Sequence, residues 1–289
     1  MLNSGLSTFR ALFDYKKYAV LSFVTAIMLI VARMLGAAIG GGFHSTIGRL
    51  IAEVISALLC LLLLNKYYFK NVTDDVVDKK FGKEQDVYSL QIMLTDGLWA
   101  IFMLNDIFLL GQFSGNELII ADYKVAYVIP ANLSILTSAM GTFVAPYFTK
   151  YENEKAYDWV RKKLLLVVKM TSLIMGVATL GCFVLARPLI VLLYGEEYLS
   201  AVPIMRILLI ASFFNNGVRA AIANILSAMG VQKLNLYVAG GGILLQVLLN
   251  LLLVPKYEAY GVAYTSVVVY IMMSVALISV AWNKYFKNK

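Results

Sequence analysis

The sequence predicts an all-α, polytopic transmembrane helical bundle that crosses the bilayer about eight times, and three observations carry that prediction. The chain is 61% hydrophobic and 15% charged, with a mean hydropathy of +0.77, whereas a soluble domain is roughly 45–50% apolar and about 25% charged. The apolar residues fall in unbroken runs of the roughly 20 residues that a helix needs to cross hydrocarbon. Lys and Arg gather at alternate ends of those runs. A soluble core of this size cannot hide so much apolar surface, and lipid can.

The apolar windows are Tyr18–Ile39, Thr46–Asn65, Ser89–Leu110, Tyr123–Phe148, Leu164–Ala186, Pro203–Met229, Leu236–Val254 and Tyr260–Trp282. They are continuous and rich in Leu, Ile, Val and Ala. A membrane β-barrel needs ten-residue segments of alternating polarity, so helices are predicted. A helix satisfies its own backbone groups in lipid.

The cationic residues set the orientation. Of the 25 Lys and Arg, one set clusters at alternate ends: Arg10, Lys16, Lys17; Lys66, Lys70, Lys79, Lys80, Lys83; Lys150, Lys155, Arg161, Lys162, Lys163; Lys233; and Lys284, Lys287, Lys289. The opposite connections hold only Arg187 and Lys256. The positive-inside rule then puts both termini in the cytoplasm. It also accounts for the net charge of +8 through loops facing anionic membrane lipid, with no need for nucleic acid. Lys16 and Lys17 before an apolar run also match a signal peptide; the repeat described next favours a retained span.

A hairpin recurs along the chain. Asn65-Lys66-Tyr67-Tyr68-Phe69-Lys70-Asn71 closes the second span, and Asn283-Lys284-Tyr285-Phe286-Lys287-Asn288 closes the eighth. Each ends a pair of spans opened by a lysine, Lys17 in one case and Lys233 in the other. Both hairpins start on the lysine-rich side, so the repeat is parallel. Residues 1–70 are then the last two helices of one lobe, 71–88 a charged cytoplasmic linker, and 89–289 a six-helix lobe. Symmetry predicts about four further helices before Met1.

Several strings resemble the polysaccharide (O-unit) flippases of the multidrug/oligosaccharidyl-lipid/polysaccharide exporter superfamily. They are LNDIFLLGQFSGNELIIADYKVAYVIP (104–130), RPLIVLLYGEEYLSAVPIMRILL (187–209), ILSAMGVQKLN (225–235) and NLLLVPKYEAYGVAYTSV (250–267). The resemblance implies two six-helix lobes around a cavity in a bacterial cytoplasmic membrane. It implies a substrate, an undecaprenyl-pyrophosphate-linked oligosaccharide carried between leaflets by alternating access coupled to an ion gradient. Polysaccharide polymerase and assembly proteins are the partners it implies.

Ionisable side chains at membrane depth cost roughly 2.5–3.5 kcal/mol each on insertion scales, so each marks a candidate site. Arg219 lies mid-way along the sixth span, with Asn215 four residues before it on the same face and Asn216 beside it. A guanidinium there suits a pyrophosphate in bidentate geometry, and equally suits a structural role on helix carbonyls. Arg33, past the middle of the first span, either lines the cavity or snorkels. Arg49 and Glu53, at i,i+4, read as a structural pair. Asp96 and Asp106 share a face of the third span and are candidate ion carriers, with Asp106 also placed to pair with Lys124. Gln246 and Asn250 suit sugar hydroxyls or a neighbouring helix. Arg206 anchors at the interface. Pro130 predicts a kink, and Gly240-Gly241-Gly242 close packing.

Other classes fit less well. His44 is the only histidine, so a His-based metal cluster or triad cannot be assembled, and no cofactor is expected. Cys60 and Cys182 sit in spans and read as packed thiols. No large soluble domain is available for an enzyme such as a polymerase or glycosyltransferase. A small-molecule antiporter of the same superfamily and an inactive truncated product are the alternatives to a flippase.

Overall fold

The computed structural model describes residues 15–67 and 79–286, and these are helical throughout apart from short turns. Arg10, Lys70, Lys287, Lys289, the ends of both Asn-Lys-Tyr anchors and the 71–78 part of the linker lie outside the described residues. Contacts divide the chain into two units, Met1–Asp78 and Lys79–Lys289.

In the first unit, α1 (Tyr15–Tyr67) runs continuously except at Gly40 and Gly41, where it folds back on itself. Gly41 takes φ +73°, a conformation that side chains with a Cβ rarely adopt. The two arms then pack antiparallel at very close range. A Cβ on Gly48 would lie 2.4 Å from the Ala32 carbonyl oxygen, and one on Gly36 would lie 2.3 Å from that of His44. Small residues at a helix crossing are how helices approach each other in lipid, where hydrophobic burial drives little. His44 Nδ1 bonds the Gly40 carbonyl at 3.0 Å, which closes the turn. Arg49 Nε donates to Glu53 Oε1 at 2.8 Å, so the sequence's structural pair forms.

The second unit begins with α2 (Lys79–Ser114). The sequence extends the linker to residue 88, but the chain is helical from Lys79. Adding turns to an existing helix costs little, and Lys, Gln and Glu are good helix formers. Next come α3 (Glu117–Asn132), capped by Asn116, whose side chain accepts from the Leu118 N–H, and α4 (Ser134–Asn153). A single residue, Leu133, parts them three positions after Pro130. Then follow α5 (Tyr157–Val184), the short α6 (Ala186–Tyr194) and α7 (Ala201–Ser212). A π-helical segment, Phe213–Arg219, runs into α8 (Ala220–Ala228), and α9 (Gln232–Tyr285) ends the described chain.

Like α1, α9 folds double, here at Glu258, which takes φ 49° and ψ −126°. Gly261 lets the turn close against the Leu253 backbone, and Gly242 lets the two arms meet at Met273. The expected close packing in the glycine triplet thus falls on Gly242, while a Cβ on Gly240 or Gly241 would meet nothing. Among the described residues, six helices are long and apolar enough to cross a membrane. Two of them, α1 and α9, are folded double, so eight crossings result, as the sequence predicts.

The core of the second unit lies in three clusters. One joins Leu110, Tyr123, Ile190, Met205 and Val262. A second, near the opposite helix ends, joins Phe148, Leu164, Leu226, Leu277 and Tyr285. Phe102, Ala211, Val269, Tyr270 and Met273 form the third. A polar cavity lies alongside this third cluster.

Candidate functional site

A cavity of about 430 Å³ opens between α2, the α3–α4 junction, the π segment and α9. That size falls in the range of small-molecule pockets. Its lining is mixed: Asp96, Trp99, Tyr127, Thr137, Asn215, Asn216, Arg219, Asn224, Ser266 and Tyr270 all reach it. A second cavity of about 220 Å³ shares Asp96, Trp99, Arg219, Ala220 and Asn224 and continues toward Gln232 and Asn235. Arg219 therefore borders both chambers.

The local backbone explains how Arg219 is presented. A π turn inserts one extra residue into a helix and recurs at functional sites. It disturbs the carbonyl ladder, and side chains from three neighbouring helices bond the carbonyls along it. Ser274 on α9 donates to the Phe214 carbonyl at 3.1 Å, Thr137 on α4 to that of Asn216 at 2.9 Å, and Ser172 on α5 to that of Gly217 at 3.0 Å. At the α3 bend, Ser212 donates to the Pro130 carbonyl at 2.9 Å. Buried carbonyls without such partners would each cost free energy comparable to a lost hydrogen bond.

The guanidinium of Arg219 is held in two ways. Its Nε donates to Asn215 Oδ1 at 2.6 Å, the i,i+4 contact read from the sequence. Its Cζ stands 4.3 Å from the centroid of the Trp99 ring, in cation–π range. Trp99 is itself stacked on Phe102 at 4.9 Å. Among the described residues no carboxylate lies within 4.0 Å of Arg219; the ion pairs are Arg49–Glu53, Arg161–Asp158 and Lys284–Glu152. Asp96 lines the same cavities without pairing with it. Asn216 turns away and donates to Ser212 Oγ at 3.0 Å. Gly141 leaves room for Asn224, whose Nδ2 would be 2.9 Å from a Cβ there.

Asp106 lies ten residues beyond Asp96 on α2, about 15 Å along the axis, in different surroundings. It is buried and accepts from four groups. Gln246 Nε2 and Asn250 Nδ2 both reach its Oδ1 at 2.8 Å; Tyr123 Oη reaches its Oδ2 at 3.2 Å and Ser266 Oγ at 3.5 Å. Its expected partner Lys124 is replaced by the neighbouring Tyr123, because Tyr123 is the residue of that pair that faces inward. Gln246 and Asn250, read from the sequence as partners of sugar hydroxyls or of a neighbouring helix, are fully buried, do not line this cavity and bond the neighbouring helix α2 at Asp106. Each uses its amide N–H on Asp106, and Gln246 Oε1 and Asn250 Oδ1 have no hydrogen-bond partner among the described residues. Ser266 touches both the cavity and Asp106, so the carboxylate lies one side chain behind the cavity wall.

Arg33 lies in the other unit. Its side chain is exposed there and does not line the apolar groove between the α1 arms. Cys60 and Cys182 are free thiols. Sequence reasoning missed Trp99, Tyr127 and Tyr270 on the cavity wall. Aromatic residues are common throughout the chain, and no spacing set these three apart. It also missed the π segment, for which no sequence signal was available beyond the Asn-Asn-Gly-Val-Arg run itself.

An eight-crossing helical bundle with a polar intramembrane cavity and an unpaired cation defines a transporter-like architecture. The chain superposes on a crystal structure of the Vibrio cholerae MATE transporter VcmN, in a mutant form, with a TM-score of 0.73 at 16% identity. The match covers 100% of this chain and 66% of that one, so this chain spans less than two thirds of the transporter's length. No curated protein matches the sequence. The profile of the polysaccharide biosynthesis protein family matches residues 1–203, and the chain belongs to that family. The fold is the helical fold of that transporter.

Proposed function

We propose that the chain is a flippase component that moves an undecaprenyl-pyrophosphate-linked oligosaccharide across the bacterial cytoplasmic membrane for surface polysaccharide assembly. The observation that carries this reading is Arg219, an intramembrane cation on the wall of a polar cavity, with no carboxylate within 4.0 Å of it among the described residues. A guanidinium in that state favours an anion, and a pyrophosphate presents paired oxygens that match its fork. Amide and hydroxyl groups of Asn215, Asn224, Thr137 and Ser266 supply donors and acceptors for sugar hydroxyls. Family membership supports the same substrate class.

Asp106 is the coupling site in this reading. A buried carboxylate with no countercharge is costly, so a proton or small cation bound there is stabilised. The unpartnered oxygens of Gln246 and Asn250 can turn toward a bound cation, and Ser266 transmits its presence to the cavity. Asp96 favours a second reading, a small-molecule antiporter, because a cavity carboxylate suits a cationic substrate.

One experiment separates the two. Surface polysaccharide and drug efflux are measured in cells whose working transporter carries Arg219→Ala or Asp96→Asn. Loss of polysaccharide in Arg219→Ala, with normal membrane insertion, supports the flippase. Normal polysaccharide in that variant, with efflux lost in Asp96→Asn, overturns it in favour of the antiporter.

A further inference from the structure

A groove of about 410 Å³ runs between α5 and the junction of α7 with the π segment, and shares no lining residue with the two polar cavities. Gly176, Leu180 and Phe183, spaced by four and three along one face of α5, form one wall. Ile210 and Phe213 stand opposite. The one hydroxyl in the groove is already used, since Thr179 Oγ1 donates to the Met175 carbonyl at 2.6 Å. The groove is therefore apolar along its length.

One end of it is not. Arg206 Cζ lies 5.3 Å from the centroid of the Phe183 ring, and its Nε donates to the Phe183 carbonyl at 3.4 Å. Phe183 is the penultimate residue of α5, and Arg206 lies in the second turn of α7. Both mark the same boundary of the bundle. Among the described residues no carboxylate lies within 4.0 Å of Arg206.

We propose that this groove binds an anionic phospholipid, with an acyl chain along α5 between Phe213 and Phe183 and the phosphate on Arg206. An apolar trough ending in a cation at the level of a helix end has the layout of one lipid chain and its headgroup. With no acid beside the guanidinium, the ammonium of a zwitterionic headgroup has no partner there, so net negative lipid is favoured. Gly176 keeps the trough open. A Cβ there would meet only Phe213 Cε2 at 3.6 Å, an ordinary contact, so close packing does not demand glycine at this position.

The test is native mass spectrometry of the purified chain with equal amounts of phosphatidylglycerol and phosphatidylcholine. The unmodified chain retains phosphatidylglycerol about tenfold over phosphatidylcholine, the equivalent of roughly 1.4 kcal/mol. Arg206→Gln retains both equally. Gly176→Leu fills the trough and retains less of each. If Gly176→Leu does not fold, Arg206→Gln decides alone. Equal retention by the unmodified chain, or an unchanged preference in Arg206→Gln, overturns the proposal. So does displacement of phosphatidylglycerol by equimolar polyprenyl phosphate, which would assign the groove to the lipid-linked substrate.

Discussion

Arg219 shows how a single residue's role depends on what surrounds it. Its charge costs free energy at membrane depth, and Asn215 and Trp99 offset that cost without neutralising it. Lys at this position keeps the charge but loses the fork and the flat face that stacks on the indole. Under the flippase reading, Arg219→Lys gives less surface polysaccharide than the unmodified protein and more than Arg219→Ala. A charge-assisted hydrogen bond worth about 1.5–3 kcal/mol puts the loss in Arg219→Ala at roughly ten- to a hundredfold in substrate affinity, read from transport at limiting substrate. Asp106 gives a second prediction. Asp106→Leu leaves the Gln246 and Asn250 amides and the Tyr123 hydroxyl facing an apolar side chain, at about 1–3 kcal/mol for each group orphaned. Asp106→Asn keeps the shape and removes only the charge. Thermal unfolding in detergent should therefore fall well below the unmodified protein for Asp106→Leu and stay near it for Asp106→Asn, while transport loses its ion dependence in both. Equal destabilisation by the two variants would mean that the charge itself holds the cluster together.

At the scale of elements, the two folded helices were partly legible. The gaps between apolar windows at 40–45 and 255–259 place a turn in each. The sequence does not tell how closely the arms approach, because that depends on which small residue faces which backbone. Gly48→Val places its branched Cβ against the Ala32 carbonyl and must spread the α1 arms, at about 1–3 kcal/mol. Protease sensitivity of the Gly40–Gly42 turn should rise accordingly. Glu258 carries positive φ without being glycine. Such a residue costs about 1–3 kcal/mol, so Glu258→Gly raises the unfolding temperature, and an unchanged temperature would show that neighbouring contacts already relieve it. The π segment was not legible at all. It is held by Ser274, Thr137 and Ser172, which lie between 45 and 79 positions away in the chain from the carbonyls they bond, and no local pattern can announce such partners. Thr137→Val keeps the shape and orphans the Asn216 carbonyl, and should destabilise by about 1 kcal/mol.

For the whole molecule, the alternation of charge along the chain remains the basis for orientation. Cysteines placed singly near Lys163, Lys233 and Lys284 should all be shielded from an impermeant thiol reagent in intact cells, and cysteines near Arg187 and Lys256 should react, in a background where Cys60 and Cys182 are replaced. Labelling of the lysine-rich set from outside would reverse the proposed orientation. The sequence by itself determined the class of the protein. Composition, run length and charge asymmetry are sums over many residues, so they predicted a helical membrane bundle of about eight crossings without any contact being known. They also singled out Arg219 with Asn215, because neighbours at i,i+4 on a helix touch whatever the rest of the chain does. Only the tertiary structure decided what lies across from them. It put Trp99 under the guanidinium, brought Asp96 to the cavity wall, and turned Gln246 and Asn250 away from the cavity onto Asp106. Contacts between helices distant in the chain depend on how each helix is rotated about its axis. In lipid that rotation is fixed by close packing and hydrogen bonds between particular side chains, which periodicity along one helix does not encode.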